Sequence, residues 1–158
     1  MKSLLRLILL GAGAGAVGGV VQPAVGKLEE MLGFPPGENS NVPRHFVEAL
    51  ANRAGVNLPN TTSWWAGVGF HVGYALFWGA AYAMVREQKE FPPVLGGLGL
   101  GAVLYTVAFS RLGAGVQAGS EPAPDKRPPH KWAHTLTMPF AYSLTTAAVY
   151  ERIRNVRL

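Results

Sequence analysis

The chain has no cysteine, so disulfides, thiolate metal sites and cysteine nucleophiles are all excluded. It is also poor in charge. Only 15% of its 158 residues are Asp, Glu, Lys or Arg, against roughly 25% in ordinary soluble domains. The charges are not thinned evenly: Leu7 to Val25, Trp64 to Val85, Pro92 to Ser110 and Trp132 to Tyr150 contain none, and together they make about half the chain. Signatures of catalysis are missing as well. There is no GxSxG, no HExxH, no phosphate-cradling GxxxxGK and no paired carboxylate motif. The glycine clusters GAGAGAVGG and GGLGLG follow no strand and sit in no alternating helix and strand pattern, so they do not read as a dinucleotide fingerprint. The expectation is a protein that is not an enzyme.

What is present points to lipid. Trp64 to Val85 is opened by two tryptophans and closed by Arg86; at about 1.5 Å per residue a helix of that length covers the ~30 Å hydrocarbon core of a bilayer. On a 3.6-residue period His71, Tyr74, Trp78 and Tyr82 share one side, while Gly69, Gly73 and Ala80 fall nearly opposite. The four uncharged runs predict an all-α polytopic membrane protein: one domain over 1–158, a four-transmembrane-helix bundle with spans near 4–25, 64–85, 92–111 and 132–150. Residues 26–63 and 112–131 become the two outer segments. The net charge of +5 comes from basic residues that flank these runs, where they meet lipid headgroups, so no nucleic acid partner is expected.

In the first run Lys2 and Arg6 precede the apolar stretch, which suits a signal peptide in outline, but the run continues past the AGA-like site without turning polar and reads as a span. Gly11, Gly15 and Gly19 stand four apart, the small-residue spacing that lets helices approach closely in lipid. Pro23 is expected to kink or end that helix. A short helix is predicted from Pro43 to Ala54, with Gly55 as its stop, and reads either as an interfacial helix at the bundle mouth or as an ordinary loop helix. Asn60-Thr61-Thr62 matches a glycosylation acceptor, a weak pattern and irrelevant in a bacterium. Arg86 to Phe91 is a connection short enough to require an antiparallel neighbour. The third run repeats the four-residue glycine spacing at Gly97 and Gly101; the last contains Pro139, with Thr135, Thr137, Ser143, Thr145 and Thr146 available to satisfy freed carbonyls or bridge to neighbouring helices. Basic residues divide evenly between the two sides. Those at the termini and at Arg86 and Lys89 lie hardest against span ends, which places both termini in the cytoplasm.

The candidate chemistry is intramembrane. His71, Tyr74, Tyr82, His134 and Tyr142 form a candidate polar interior between the second and fourth spans, and a proton or small-solute pathway lined by His71 and His134 is the alternative to a purely structural role. Against it, relays usually include a carboxylate and these spans hold none. Haem ligation by the two histidines, or by a histidine with Met138, is a lesser alternative, because their expected depths differ by about 7 Å. No metal and no resident cofactor are predicted. Helix packing is assigned to Gly11, Gly15, Gly19, Gly69, Gly73, Gly97 and Gly101.

Several features taken together resemble the YagU-like family of small bacterial inner-membrane proteins. They are the glycine-rich first span followed by KLEEMLGFPP at Lys27 to Pro36, the spacing from His71 to Tyr82, and a last span that opens with KWAH at Lys131 to His134 and closes in ERIRNVR at Glu151 to Arg157. Pro35-Pro36-Gly37 stands where that family's pattern has Pro-Pro-Arg. The resemblance implies a multi-span protein of the bacterial inner membrane with no assigned reaction. Its expected partners are the bilayer and a homo-oligomer or larger membrane complex, and its expected role is structural, accessory or stress-related.

Overall fold

The computed structural model describes residues 3–33 and 41–155, and every regular element among them is helical. The Pro35-Pro36-Gly37 step and Arg157 lie outside the described residues. Helix α1, Leu4–Met31, opens on Ser3, whose hydroxyl accepts the Arg6 amide at 3.2 Å. It carries Pro23 in its interior and runs about two turns beyond the expected span. Lys27, Leu28, Glu29 and Glu30 are good helix formers, and a Lys27–Glu30 ion pair at 2.6 Å braces this extension. A charge marks where lipid becomes costly, not where backbone hydrogen bonding ends. Gly33, at φ 86°, lets the chain leave through the left-handed region.

Helix α2, Val42–Arg53, is capped by Asn41, whose side chain accepts the Arg44 amide at 3.3 Å, and has Pro43 in its first turn. It lies against the start of α3, Asn60–Gln88. Arg44 donates to Glu48 at 2.8 Å and to Asn60 at 2.6 Å, and the Arg44 hydrogen bond holds the Glu48 carboxyl below the usual glutamate range. Helix α4, Pro93–Phe109, follows a short link; then come α5, Ala114–Ala118, a single 3-10 turn at Pro124–Lys126, and α6, Pro129–Ile153.

The four long helices touch in the order α3, α1, α6, α4. Gly11 faces Gly79, Gly15 faces Ala75, Gly18 faces Tyr142 and Gly101 faces Phe140, so each touching pair runs antiparallel. Helices α3 and α4, joined by the shortest link, touch little, and near that link the Tyr82 hydroxyl lies beside Gly96. There Tyr82 meets Phe91 and Tyr150 edge to face at 6.4 and 5.9 Å. A short connection fixes proximity at one end only; α4 turns to α6, where Gly97 and Gly101 admit Leu144, Phe140 and Ser143.

Large apolar side chains point outward rather than in. Leu9, Val20, Phe77, Val94 and Leu95 are all about 60–70% exposed, and exposed apolar area of this extent needs an apolar surrounding. Leu4–Met31, Asn60–Gln88 and the continuous stretch Pro93–Ala118 are each long and apolar enough to cross a membrane. This is the signature of a membrane protein. Helix α6 stands outside that set because its hydroxyl groups lower its hydropathy, yet it packs between α1 and α4.

Candidate ligand cavity

Small residues close one half of this bundle and leave the other open. Toward the α3–α4 link, Ala14, Ala83, Ala147 and Tyr150 are essentially without exposure. A methyl group on Gly79 would lie 2.6 Å from the Gly15 Cα and 2.7 Å from its nitrogen, so the two backbones are in direct contact. Arg86 donates to Glu151 at 2.6 Å, Tyr150 to Glu87 at 3.0 Å, and Arg154 pairs with both carboxylates. The Arg86–Glu151 and Arg154–Glu87 pairs set the register of α3 against α6.

At the other end a cavity of about 420 Å³ lies between α1, α3, α4 and α6, beneath α2 and α5. That volume falls within the roughly 300–1,000 Å³ of small-molecule sites. Its floor is Tyr142, 2% exposed, whose hydroxyl donates to the Ala75 carbonyl at 2.6 Å. One wall is an aromatic ladder: Phe46 of α2 lies 5.0 Å from Phe70 of α3, which stacks at 5.7 Å on Tyr74. Leu104, Val107 and Phe109 of α4 and Met138 of α6 form the opposite side. Above α4, Arg127 is 5% exposed and donates to the Phe109 and Pro122 carbonyls at 3.0 and 3.2 Å, with the rings of Phe109 and Trp132 against its guanidinium. This pins the second outer segment as an ordered cover. Arg53 reaches across from α2 to the Gln117 carbonyl.

Both histidines line the cavity, and each is taken by a different residue of α1. Pro23 has no N–H, so the Gly19 carbonyl four residues back loses its helical donor. The Nε2 of His71 stands 2.9 Å from that carbonyl, so its Nε2–H takes the place of the missing donor. His134 places Nδ1 2.8 Å from Glu29 Oε2. The two α1 partners are ten residues apart, about 15 Å along the helix axis. Both His134 and Met138 sit over Gly26. The separation between their α1 partners sets His71 and His134 at different levels of the bundle, which does not suit bis-histidine haem ligation.

Of the remaining predicted interior residues, Tyr74 and Tyr142 line the cavity, whereas Tyr82, 4% exposed, belongs to the aromatic cluster at the link end. Among the glycines, Gly11, Gly15, Gly19, Gly97 and Gly101 face neighbouring helices at close range, but Gly69 and Gly73 have open space where a side chain would be. For contacts within the chain those two assignments are corrected. The inward stripe of α3 is Gly67, Ala75, Gly79 and Ala83, half a turn round, and a methyl group on Gly67 would meet the Arg44 Cα at 2.7 Å. The residue the sequence reading missed is Glu29. It lies beyond the uncharged run, yet Gln22, Gly26, Glu29 and Glu30 recur at helical spacing and all line the cavity. Four of the five hydroxyls assigned to α6 bond back to their own helix: Thr135 to the Lys131 carbonyl at 2.5 Å, Thr137 to Ala133, Ser143 to Phe140 and Thr146 to Tyr142.

No group of three or more metal-ligating side chains gathers among the described residues. No family model, no curated protein and no solved structure matches the chain.

Proposed function

We propose that the chain is a four-span integral protein of a bacterial inner membrane, with both termini cytoplasmic, that serves as a non-enzymatic accessory or structural subunit. Helix α6 is the fourth span. Its 25 residues reach about 37 Å; four of its serine and threonine hydroxyls bond its own carbonyls, and Tyr142 and Tyr150 donate to α3. Helix α2 is the interfacial helix at the bundle mouth. The likeness to the YagU-like family, carried by sequence motifs alone, agrees with this reading.

The observation that carries the reading is the closed half of the bundle. Below the Tyr142–Ala75 bond the described helices meet at close range through glycine and alanine. Close packing of this kind supports a subunit that packs and holds. The second reading, a proton pathway, draws on the Glu29–His134 pair, which supplies the carboxylate that the uncharged runs lacked.

Purified protein reconstituted into vesicles tests both. Under an imposed pH gradient the accessory reading expects the proton leak of protein-free vesicles; a leak several-fold higher that His134→Ala abolishes would replace it with the pathway. The absence of cysteine makes topology directly readable, because single cysteines at Ser3, Glu90, Lys126 and Asn155 can be labelled from either side with an impermeant thiol reagent. Four spans expect Lys126→Cys alone to report from the periplasm.

A further inference from the structure

The cavity has a sign and a surface chemistry that the accessory role does not use. Three formally charged side chains line it: Glu29, Glu30 and Lys27. Lys27 is already committed to Glu30 at 2.6 Å and points 71% into solvent. Glu29 is held by the His134 imidazole, whose Nδ1 lies 2.8 Å from its Oε2, and it is the lining carboxylate that stands outside the Lys27 pair. The Glu29 side chain is only 16% exposed, which places its field in a medium where a unit charge acts several times more strongly than in water.

The rest of the lining selects what can answer that charge. Phe46, Phe70 and Tyr74 line the space in mutual contact, and aromatic rings favour cations over anions. A hydrated metal ion gains little from such walls. An organic cation with an apolar body gains from both. Helices α3 and α4 touch little, and Phe70 of one and Val107 of the other both line the cavity.

We propose that this cavity is a binding site for a lipophilic monocation, an amine or quaternary onium ion, whose charge is met by Glu29 and whose apolar body lies on the ladder of Phe46, Phe70 and Tyr74.

The test uses two ions of one shape and opposite sign. Full-length protein in an uncharged detergent is titrated with radiolabelled tetraphenylphosphonium and with tetraphenylborate, counting only the fraction displaced by excess unlabelled ion so that micelle partitioning cancels. The expected result is saturable binding of about one phosphonium per chain, at least tenfold tighter than the borate. Glu29→Gln should weaken the phosphonium about tenfold and leave the borate unchanged or tighter; Phe70→Ala should weaken the phosphonium several-fold. Equal or preferential binding of the borate would overturn the proposal, since the site would then be merely apolar, and so would the lack of any displaceable phosphonium binding. Because the comparison of signs is made on the unaltered protein, it stands even if a variant does not fold.

Discussion

The two halves of this bundle are built from the same four helices and come out differently. Toward the α3–α4 link, Gly11, Gly15, Ala75, Gly79 and Ala83 bring α1 and α3 backbone to backbone and leave no space. Toward α2 and α5 the same helices carry Pro23, His71, His134, Pro139 and Glu29, and there they enclose about 420 Å³. In lipid no hydrophobic drive pulls helices together, so contact depends on shape. Small residues give that shape in one half. In the other, prolines and long polar side chains deny it, and the volume opens where they begin.

The largest expected effect breaks the closed half. A methyl group on Gly79 would meet the Gly15 backbone at 2.6–2.7 Å, and backbone cannot step aside, so Gly79→Ala should cost about 1–3 kcal/mol. Gly73→Ala, on the same helix but facing open space, should stay within about 0.5 kcal/mol. Loss of helical signal on heating in detergent measures both, and equal midpoints for the two variants would contradict the assignment of faces.

The open half offers a sharper comparison of the next size. His71→Ala strands the Gly19 carbonyl and should cost about 1–3 kcal/mol. Pro23→Ala restores the helical N–H that the carbonyl lost, so in a Pro23→Ala background the same His71→Ala change should cost less than half as much. A double-mutant cycle on thermal midpoints reads this directly; strictly additive costs would show that the histidine is not there to serve that carbonyl.

A smaller effect separates the cover from the bundle. Glu121 is 8% exposed, with Oε1 unbonded, and burial pushes its carboxyl above the ordinary glutamate range despite Arg127, Lys131, His134 and His45 nearby. A raised carboxyl favours the fold fully below the unfolded value, near 4.5, and that contribution is lost as pH rises through the folded value. Glu121→Gln should therefore raise the thermal midpoint at neutral pH and lose its advantage as the pH falls below the usual glutamate range. An advantage that grows on acidification would reverse the sign of this account.

Much of the architecture was legible because lipid writes plainly in sequence. The runs in α1, α3 and α4 were visible as missing charge, and α2 could be bracketed by Pro43 and Gly55. The face of α3 was not, because a helix apolar all round has two stripes of small residues, Gly69 with Gly73 and Ala75 with Gly79, and only the partner helix chooses between them. The partner was itself obscured. The link at Arg86 to Phe91 joins α3 to α4 in sequence, but Gly97 and Gly101 commit α4 to α6. Glu29 was hidden for a simpler reason, since a boundary drawn at the last uncharged residue cuts α1 before its final turns. Both histidines were found, but their partners, a carbonyl exposed by Pro23 and a carboxylate beyond the run, needed coordinates.

Single cysteines along α1 compare the two halves most directly, in membranes and with nothing native to interfere. Gln22→Cys faces the cavity and Ala14→Cys, at 0% exposure, faces the glycine contact. A small water-soluble thiosulfonate should modify the first at least a hundred times faster than the second, and comparable rates at the two positions would contradict a bundle open at one end and sealed at the other.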